Sequence, residues 1–344
     1  MNKEISQTIT ALRFPICAMV VFIHSTVGNV NLNGESINAK GGYYNIVHDL
    51  FSYGFCASAV PLFFFIAGYL YFLGCSNGFH KGEYISKSKK RVKSLLLPYI
   101  VWNIYLLILF YCVQNILPTM LSGSHKAIMD YKLMDFILAF WDAGEGFPIN
   151  GPMWFIRDLI VFSALSPIAY IFVRNRRVGL VVCIVMMVFN VKGAYFVMGA
   201  WCMLHGIDFA KLSRQVWPYT VLLWLVLVVL SFHQDTGNYA WLKVLYVFIG
   251  TVALTGIISR IYYKREVGEF MIFLSSTSFF IFAFHQQPLL ILCKLWAKYL
   301  PNSEPMLIAG YFILPLLIIS ISIGLYLLMR MICPKILSFI NGGR

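Results

Sequence analysis

Charge is what this chain has least of. Only 12% of its 344 residues are Asp, Glu, Lys or Arg, where a soluble globular domain carries about 25%. The few charges sit in short clusters between long apolar runs, and mean hydropathy is +0.76. That pattern excludes an ordinary soluble domain. No hydrophilic stretch is long enough for a second folded unit, so residues 1–344 read as a single integral-membrane domain. None of the eight cysteines forms a C-x-x-C, which argues against a disulfide framework and a zinc site. P-loop, dinucleotide, G-x-S-x-G and H-E-x-x-H patterns are missing, and no metal is expected. No aromatic-basic nucleic-acid motif accompanies the net charge of +13, and the basic residues lie beside apolar segments; nucleic acid is not an expected partner. The first apolar segment holds a histidine and is followed by no A-x-A-like site, so it reads as a retained span rather than a signal peptide.

What the chain does have is apolar length. A helix needs about 20 apolar residues to cross a bilayer. Ten such segments are expected, at about 9–29, 52–74, 95–117, 152–173, 178–192, 194–209, 216–232, 241–259, 269–296 and 307–331. The fifth and sixth are short, separated only by Asn190-Val191-Lys192-Gly193, and a re-entrant pair is the alternative. With the N-terminus inside, 18 of the 27 Lys and Arg residues fall in inside segments and five in outside ones. The positive-inside rule therefore favours an all-α polytopic protein with both termini in the cytoplasm. Two longer outside segments, 30–51 and 118–151, are candidates for recognition. The second carries Asp130, Asp135, Asp142 and Glu145, with a short interfacial helix expected over Met134–Trp141. No internal repeat is visible.

Polar residues at membrane depth carry the chemistry. Arg13 and His24 lie eleven steps apart on the first segment, about three helical turns and roughly 16 Å. On one helix they would share a face. Such residues usually face a bundle interior or a wet cavity. His24 suits a general base, although a lone membrane histidine also serves as a helix-packing group. His285 ends the run Ser275–Phe284 and precedes Gln286, Gln287 and Pro288. The proline would kink the helix and free carbonyls; here a polar packing node is the competing reading. The cluster Lys87-Ser88-Lys89-Lys90-Arg91-Val92-Lys93 reads as a topology signal touching anionic lipid, or as a site for cofactor phosphates. In Trp154-Phe155-Ile156-Arg157-Asp158, Trp154 suits the interface and Arg157 either snorkels or contacts an acceptor. Arg157 and Asp158, being adjacent, are expected to point apart on a helix and not to pair.

Taken together these residues resemble the membrane-bound acyltransferase 3 family over nearly the whole chain. The match runs from Arg13-x10-His24 through Pro61–Tyr69, the basic cluster with Leu95-Leu96-Leu97-Pro98-Tyr99, and Met153-Trp154-Phe155, to Ser278–His285. One departure is Lys90-x-x-Lys93 where the family often has R-x-x-R; lysine lacks arginine's bidentate fork. The resemblance implies an O-acyltransferase of the bacterial cytoplasmic membrane. It would move acetyl from acetyl-CoA to a hydroxyl of a cell-surface glycan or its lipid-linked precursor. His24 would be the catalytic base, Arg13 its partner and His285 a further catalytic group. Lys87, Lys90, Arg91 and Lys93 would hold the CoA phosphates, and Trp154 and Arg157 the acceptor. The membrane domain would act alone, among membrane lipid; a homo-oligomer is left open. The alternative is a secondary transporter of a glycan precursor or small anion, with the Arg and His as clamp and proton relay.

Overall fold

The computed structural model describes residues 2–32, 35–38, 42–75, 78–116, 126–144, 146–232, 240–263 and 266–343. Glu145, singled out above, lies outside the described residues. The molecule is a polytopic α-helical membrane protein. Its only β-structure among the described residues is a two-stranded antiparallel hairpin, Asn29–Leu32 with Glu35–Asn38. Helices dominate because a bilayer offers no water to backbone N–H and C=O groups, which a helix satisfies internally. Their outward faces carry exposed Leu222, Val229, Ile313 and Leu316, as lipid permits.

Among the described residues, six helices are long and apolar enough to cross a bilayer. They are Lys3–Ile23, Tyr43–Tyr71, Lys81–Ile116, Phe209–Phe232, Trp241–Ile261 and Glu304–Ile332. Two bent pairs raise the number to eight: Gly151–Ala164 with Ser166–Val173 (65°), and Glu269–Phe284 with Gln286–Tyr299 (67°). The fifth and sixth expected segments are the helices Arg176–Val188 and Ala194–Leu204, of 13 and 11 residues. At 1.5 Å per residue they reach about 20 and about 17 Å, short of a hydrocarbon core of about 30 Å. The chain turns between them at Asn190, whose φ of 50° no helix accommodates. The break falls at the Asn190-Val191-Lys192-Gly193 separation visible in the sequence.

The chain divides into two compact units. The first comprises Met1–Val20, Leu50–Lys90 and Val161–Ser278. In it, Phe209–Phe232 packs along Ala240–Ile261 around Trp224, Val228, Tyr246 and Ala253. Ala194–Leu204 lies against Ala59–Tyr71, with Gly68 facing the Phe196 carbonyl and Gly199 facing the Phe65 carbonyl. A Cβ at either position would collide with the opposing backbone, so glycine on both helices permits the close approach. The second unit comprises Val21–Asp49, Arg91–Ile160 and Phe279–Arg344. Its core includes Leu106, Phe110, Ile128, Ala139 and Ile149. A short helix, Leu133–Ala139, forms within the segment where one was expected.

Candidate active site

The bend at His285 is where local sequence and site chemistry meet. Pro288 has no N–H to offer the carbonyl four residues back, so the helix breaks after Phe284 and resumes at Gln286. His285 occupies the break and is fully buried. Its Nδ1 lies 2.8 Å from the Phe282 carbonyl and 3.1 Å from that of Ile281. Carbonyls only accept, so Nδ1 carries the proton and donates it. In the neutral ring Nε2 is then an unprotonated lone pair, and it is buried without a hydrogen-bond partner among the described residues.

His24 faces that ring, with centroids 5.2 Å apart and planes tilted by 50°. It does not sit on the helix that carries Arg13, as the spacing suggested. That helix ends at Ile23, and the His24 N–H donates to the Val21 carbonyl three residues back. A turn therefore aims the imidazole, and helical phase does not. The turn is held from both sides: Ser25 Oγ donates to the Tyr311 carbonyl (3.1 Å), and the Gly28 N–H donates to Tyr44 Oη (3.0 Å). Arg13 belongs to the first unit, and its side chain is exposed.

His24 lines a cavity of about 490 Å³ in the second unit. Trp154 and Phe147 form an aromatic corner of its wall, 6.5 Å apart and edge-on. Gln286 and Gln287 contribute two carboxamides, and Gly151 lies beside Gln286. A Cβ on Gly151 would stand 2.7 Å from Gln286 Oε1, so glycine here gives the amide its room. Gln286 Oε1 is itself buried without a hydrogen-bond partner among the described residues.

Two buried asparagines brace this wall, and the sequence reading passed over both. Asn103 Nδ2 donates to the Tyr99 carbonyl (2.7 Å), while its Oδ1 accepts from the Asn150 N–H (3.1 Å). Asn150 Nδ2 donates in turn to the Ala283 carbonyl (3.2 Å), two residues before His285. The signal was available: Asn103 is a carboxamide in the middle of an apolar run, which lipid does not tolerate without a partner.

Arg157 overturns one expectation. It pairs with its neighbour Asp158, Nε to Oδ1 at 3.1 Å, both side chains being nearly buried. Adjacent residues leave a helix in different directions at Cβ, but the long arginine stem folds back far enough to bring Nε to the carboxylate. Its Nη1 donates to the carbonyls of Trp141 and Gly146 (3.0 Å to the latter), and the guanidinium lies 5.1 Å from the Trp141 ring centroid. Arg157 therefore grips the 141–147 segment, whose Ala143, Gly144 and Phe147 line the cavity, and does not line it itself. Trp154 does. Outside the spanning helices, Asp135 is held below the usual carboxylate range, first by Lys126 Nζ (2.7 Å) and then by the Lys132 N–H (2.7 Å).

The basic cluster lies on the continuous helical stretch Lys81–Ile116. A π-helical turn, Val92–Leu96, interrupts it just before Pro98 and holds Lys93. Lys90 and Lys93 are exposed, and Arg91 is half-buried. Lys87 is engaged, donating to the Leu73 carbonyl at 3.0 Å with its Nζ 5.7 Å from the Tyr71 ring centroid. Among the described residues no group of three or more His, Cys, Asp or Glu is placed to hold a metal ion.

Comparison with known proteins bears on this geometry. A family model described as an acyltransferase domain, that of acyltransferase 3, matches residues 7–327. The chain is 24% identical over 372 aligned residues to the succinoglycan biosynthesis protein ExoH of Rhizobium meliloti (strain 1021), an alignment covering 100% of this chain and 94% of that protein. No solved structure matches the chain significantly.

Proposed function

The chain belongs to the acyltransferase 3 family, and from that premise we propose that it moves acetyl from cytoplasmic acetyl-CoA to a hydroxyl of a cell-surface glycan or its lipid-linked precursor. It is a membrane acyltransferase by family; the donor, the acceptor and the bacterial cytoplasmic membrane as its site belong to this reading, as do the single domain and the inward termini. The observation that carries it is the cavity lined by His24, Trp154 and two glutamines, with a second imidazole whose Nε2 has no hydrogen-bond partner among the described residues. The relative's place in succinoglycan biosynthesis supports a glycan acceptor.

In this reading the acceptor hydroxyl enters the cavity and gives its proton to His24. The oxygen attacks the thioester carbonyl. The C–S bond breaks, and the CoA sulfur leaves and takes up the proton as a free thiol. Such a positioned base contributes about 10²–10⁴-fold. His285, its tautomer set by two carbonyls, supports the charge that develops on His24. Arg13 is the partner that the family motif assigns to His24. Lys90 and Lys93, with Arg91, take the CoA phosphates as cations on the exposed side of the helix. Lys87 is tied to its own unit and contributes to the local field. Trp154 meets the acceptor directly, and Arg157 acts through the segment it grips.

The test is thiol release from acetyl-CoA by the purified protein in proteoliposomes, wild type beside His24→Ala, with a crude lipid-linked glycan extract as acceptor. Release by wild type alone, with labelled acetyl appearing in the glycan, is expected. Lys90→Gln and Lys93→Gln are expected to raise the KM for acetyl-CoA while leaving kcat. Absence of both thiol release and saturable CoA binding in wild type would remove the acetyl-CoA reading and leave a transporter to be tested.

A further inference from the structure

The first unit holds a separate cavity of about 400 Å³. Four helices form most of its wall: the short Arg176–Val188 and Ala194–Leu204, and the spans Phe209–Phe232 and Ala240–Ile261. Leu180, Ile184 and Met187 recur at i, i+4 and i+7, one face of the first short helix. Leu180 and Ile184 are exposed, so this wall is open at the side. The two threonines in the wall turn their hydroxyls inward: Thr251 Oγ1 donates to the Phe248 carbonyl and Thr255 Oγ1 to that of Thr251, both at 2.7 Å. A cavity water needs two to four polar partners, and this wall suits hydrocarbon instead. The short helices reach about 20 and about 17 Å of a hydrocarbon core about 30 Å thick, which leaves depth for a lipid chain to fill.

One end of this cavity is basic. Ile207, Phe209 and Leu212 carry the lining to the start of Phe209–Phe232. The start of Arg176–Val188 lies at the same end, because His205 Nε2 donates to the Val173 carbonyl (2.9 Å) and Trp201 Nε1 to that of Arg176 (3.0 Å). Arg176 and Arg177 stand four and three residues before Leu180, and Lys211 four before Gln215, another lining residue. Residues three or four apart share a helix face. All three cations therefore extend the lining by one turn, and all three are exposed. Asp208 stands at this end too, accepting from the Lys211 N–H (2.9 Å) and from Asn2 Nδ2 (3.2 Å), but the cations outnumber it. Arg214, one turn on, is paired with Glu4 (3.0 Å).

We propose that this cavity seats one hydrocarbon chain of an anionic phospholipid, whose phosphate meets Arg176, Arg177 and Lys211. The bilayer supplies the lipid, and cations near its surface attract anionic headgroups. A phosphatidylcholine with the same chains fills the apolar part but brings its own cation to the basic end. The site belongs to the first unit alone and needs no premise about the reaction.

The experiment places the full-length protein in phosphatidylcholine proteoliposomes. Phosphatidylglycerol or phosphatidylcholine with identical brominated chains, which quench nearby tryptophan, is then added in increasing proportion. Trp201 lines the cavity, so the emission lost in Trp201→Phe isolates its signal. That signal should be half quenched at a mole fraction of brominated phosphatidylglycerol on the order of tenfold lower than of brominated phosphatidylcholine. Arg176→Gln, Arg177→Gln and Lys211→Gln combined should erase the preference. Val252→Phe, at the apolar wall, should weaken quenching by both lipids; Ile184→Phe replaces it if that variant does not fold. A second readout does not depend on Trp201. Phosphatidylglycerol should raise the melting temperature in detergent above the value with phosphatidylcholine, and the combined variant should lose that gain. Equal quenching by the two lipids in wild type, a preference that survives the three substitutions, or unchanged quenching in the filled variant would overturn the proposal. So would relief of quenching by a trace of polyprenyl phosphate, which would make that lipid the occupant.

Discussion

Two cavities of similar size teach opposite lessons. The first unit holds one of about 400 Å³, lined almost wholly by apolar side chains such as Leu62, Leu180, Met198 and Phe248. The second unit holds one of about 490 Å³, lined by His24, two glutamines, a tryptophan and six residues from Ala143 to Gly151. Apolar helices with mixed side-chain sizes leave the first kind of space by default, and lipid tails fill it at no electrostatic cost. The second kind has to be maintained. Each polar group in it needs a brace, and the braces are present: carbonyls under His285, the Asn103–Asn150 bridge, and the Arg157–Asp158 grip on the loop. That polar order sets the second cavity apart from the first, and it is the reason the proposed reaction is assigned there.

The comparison is broken most severely by removing the second imidazole. His285→Ala should lower acetyl transfer by about 10²–10⁴-fold, measured as labelled glycan, while saturable CoA binding persists. A loss of under threefold would return His285 to the role of a helix-packing group. Arg157→Gln comes next. It should raise the acceptor KM roughly tenfold without changing acceptor-independent thioester hydrolysis, since a 1.4 kcal/mol loss in binding is tenfold. It should also lower thermal stability, because Asp158 is left nearly buried without its partner. Adding Asp158→Asn should restore the melting temperature and leave the KM raised. A direct acceptor contact would instead shift KM with no stability change.

A smaller effect sharpens the contrast from the other side. Met198→Ala enlarges the apolar cavity and, at a half-buried position, should cost about 2 kcal/mol, read as a lower melting temperature in detergent. Transfer at permissive temperature should stay within about twofold of wild type; a larger loss would give the first cavity a part in the reaction. The smallest effect lies at Asp135. Its depressed pKa means that its bonds to Lys126 and Lys132 contribute fully above the ordinary aspartate value of about 3.9 and are lost as pH falls through the lower folded value. The protection factors of the 133–139 amides, exchange rates referred to the intrinsic rate at each pH, should therefore fall on acidification in wild type, and Asp135→Asn should flatten that response.

Some of the site was legible from local sequence because its cause is local. Pro288 removes the N–H that would reach the Phe284 carbonyl, and the 67° bend lies at that turn. His24 and His285 stood out because imidazoles in apolar runs are expensive. The short helix expected over Met134–Trp141 is found over Leu133–Ala139. Two readings went astray through side-chain reach or a chain break that periodicity does not encode. Arg157 folded back onto Asp158, and His24 fell one residue beyond its helix. Asn103 is flagged by its apolar run, but Asn150, in a polar loop, shows its worth only when its partners are known.

Composition and apolar run length determined that this is a helical membrane protein, since lipid forces backbone groups to pair within each helix. Local residue chemistry determined where one of those helices breaks. The tertiary structure alone decided that His24 meets His285, that Gln286 opens onto the same space, and that Arg157 serves the wall and not the cavity. Those residues lie at opposite ends of the chain, or reach across it by rotamer. Sequence spacing sets distance only along a single element, and the site is made where several elements pack.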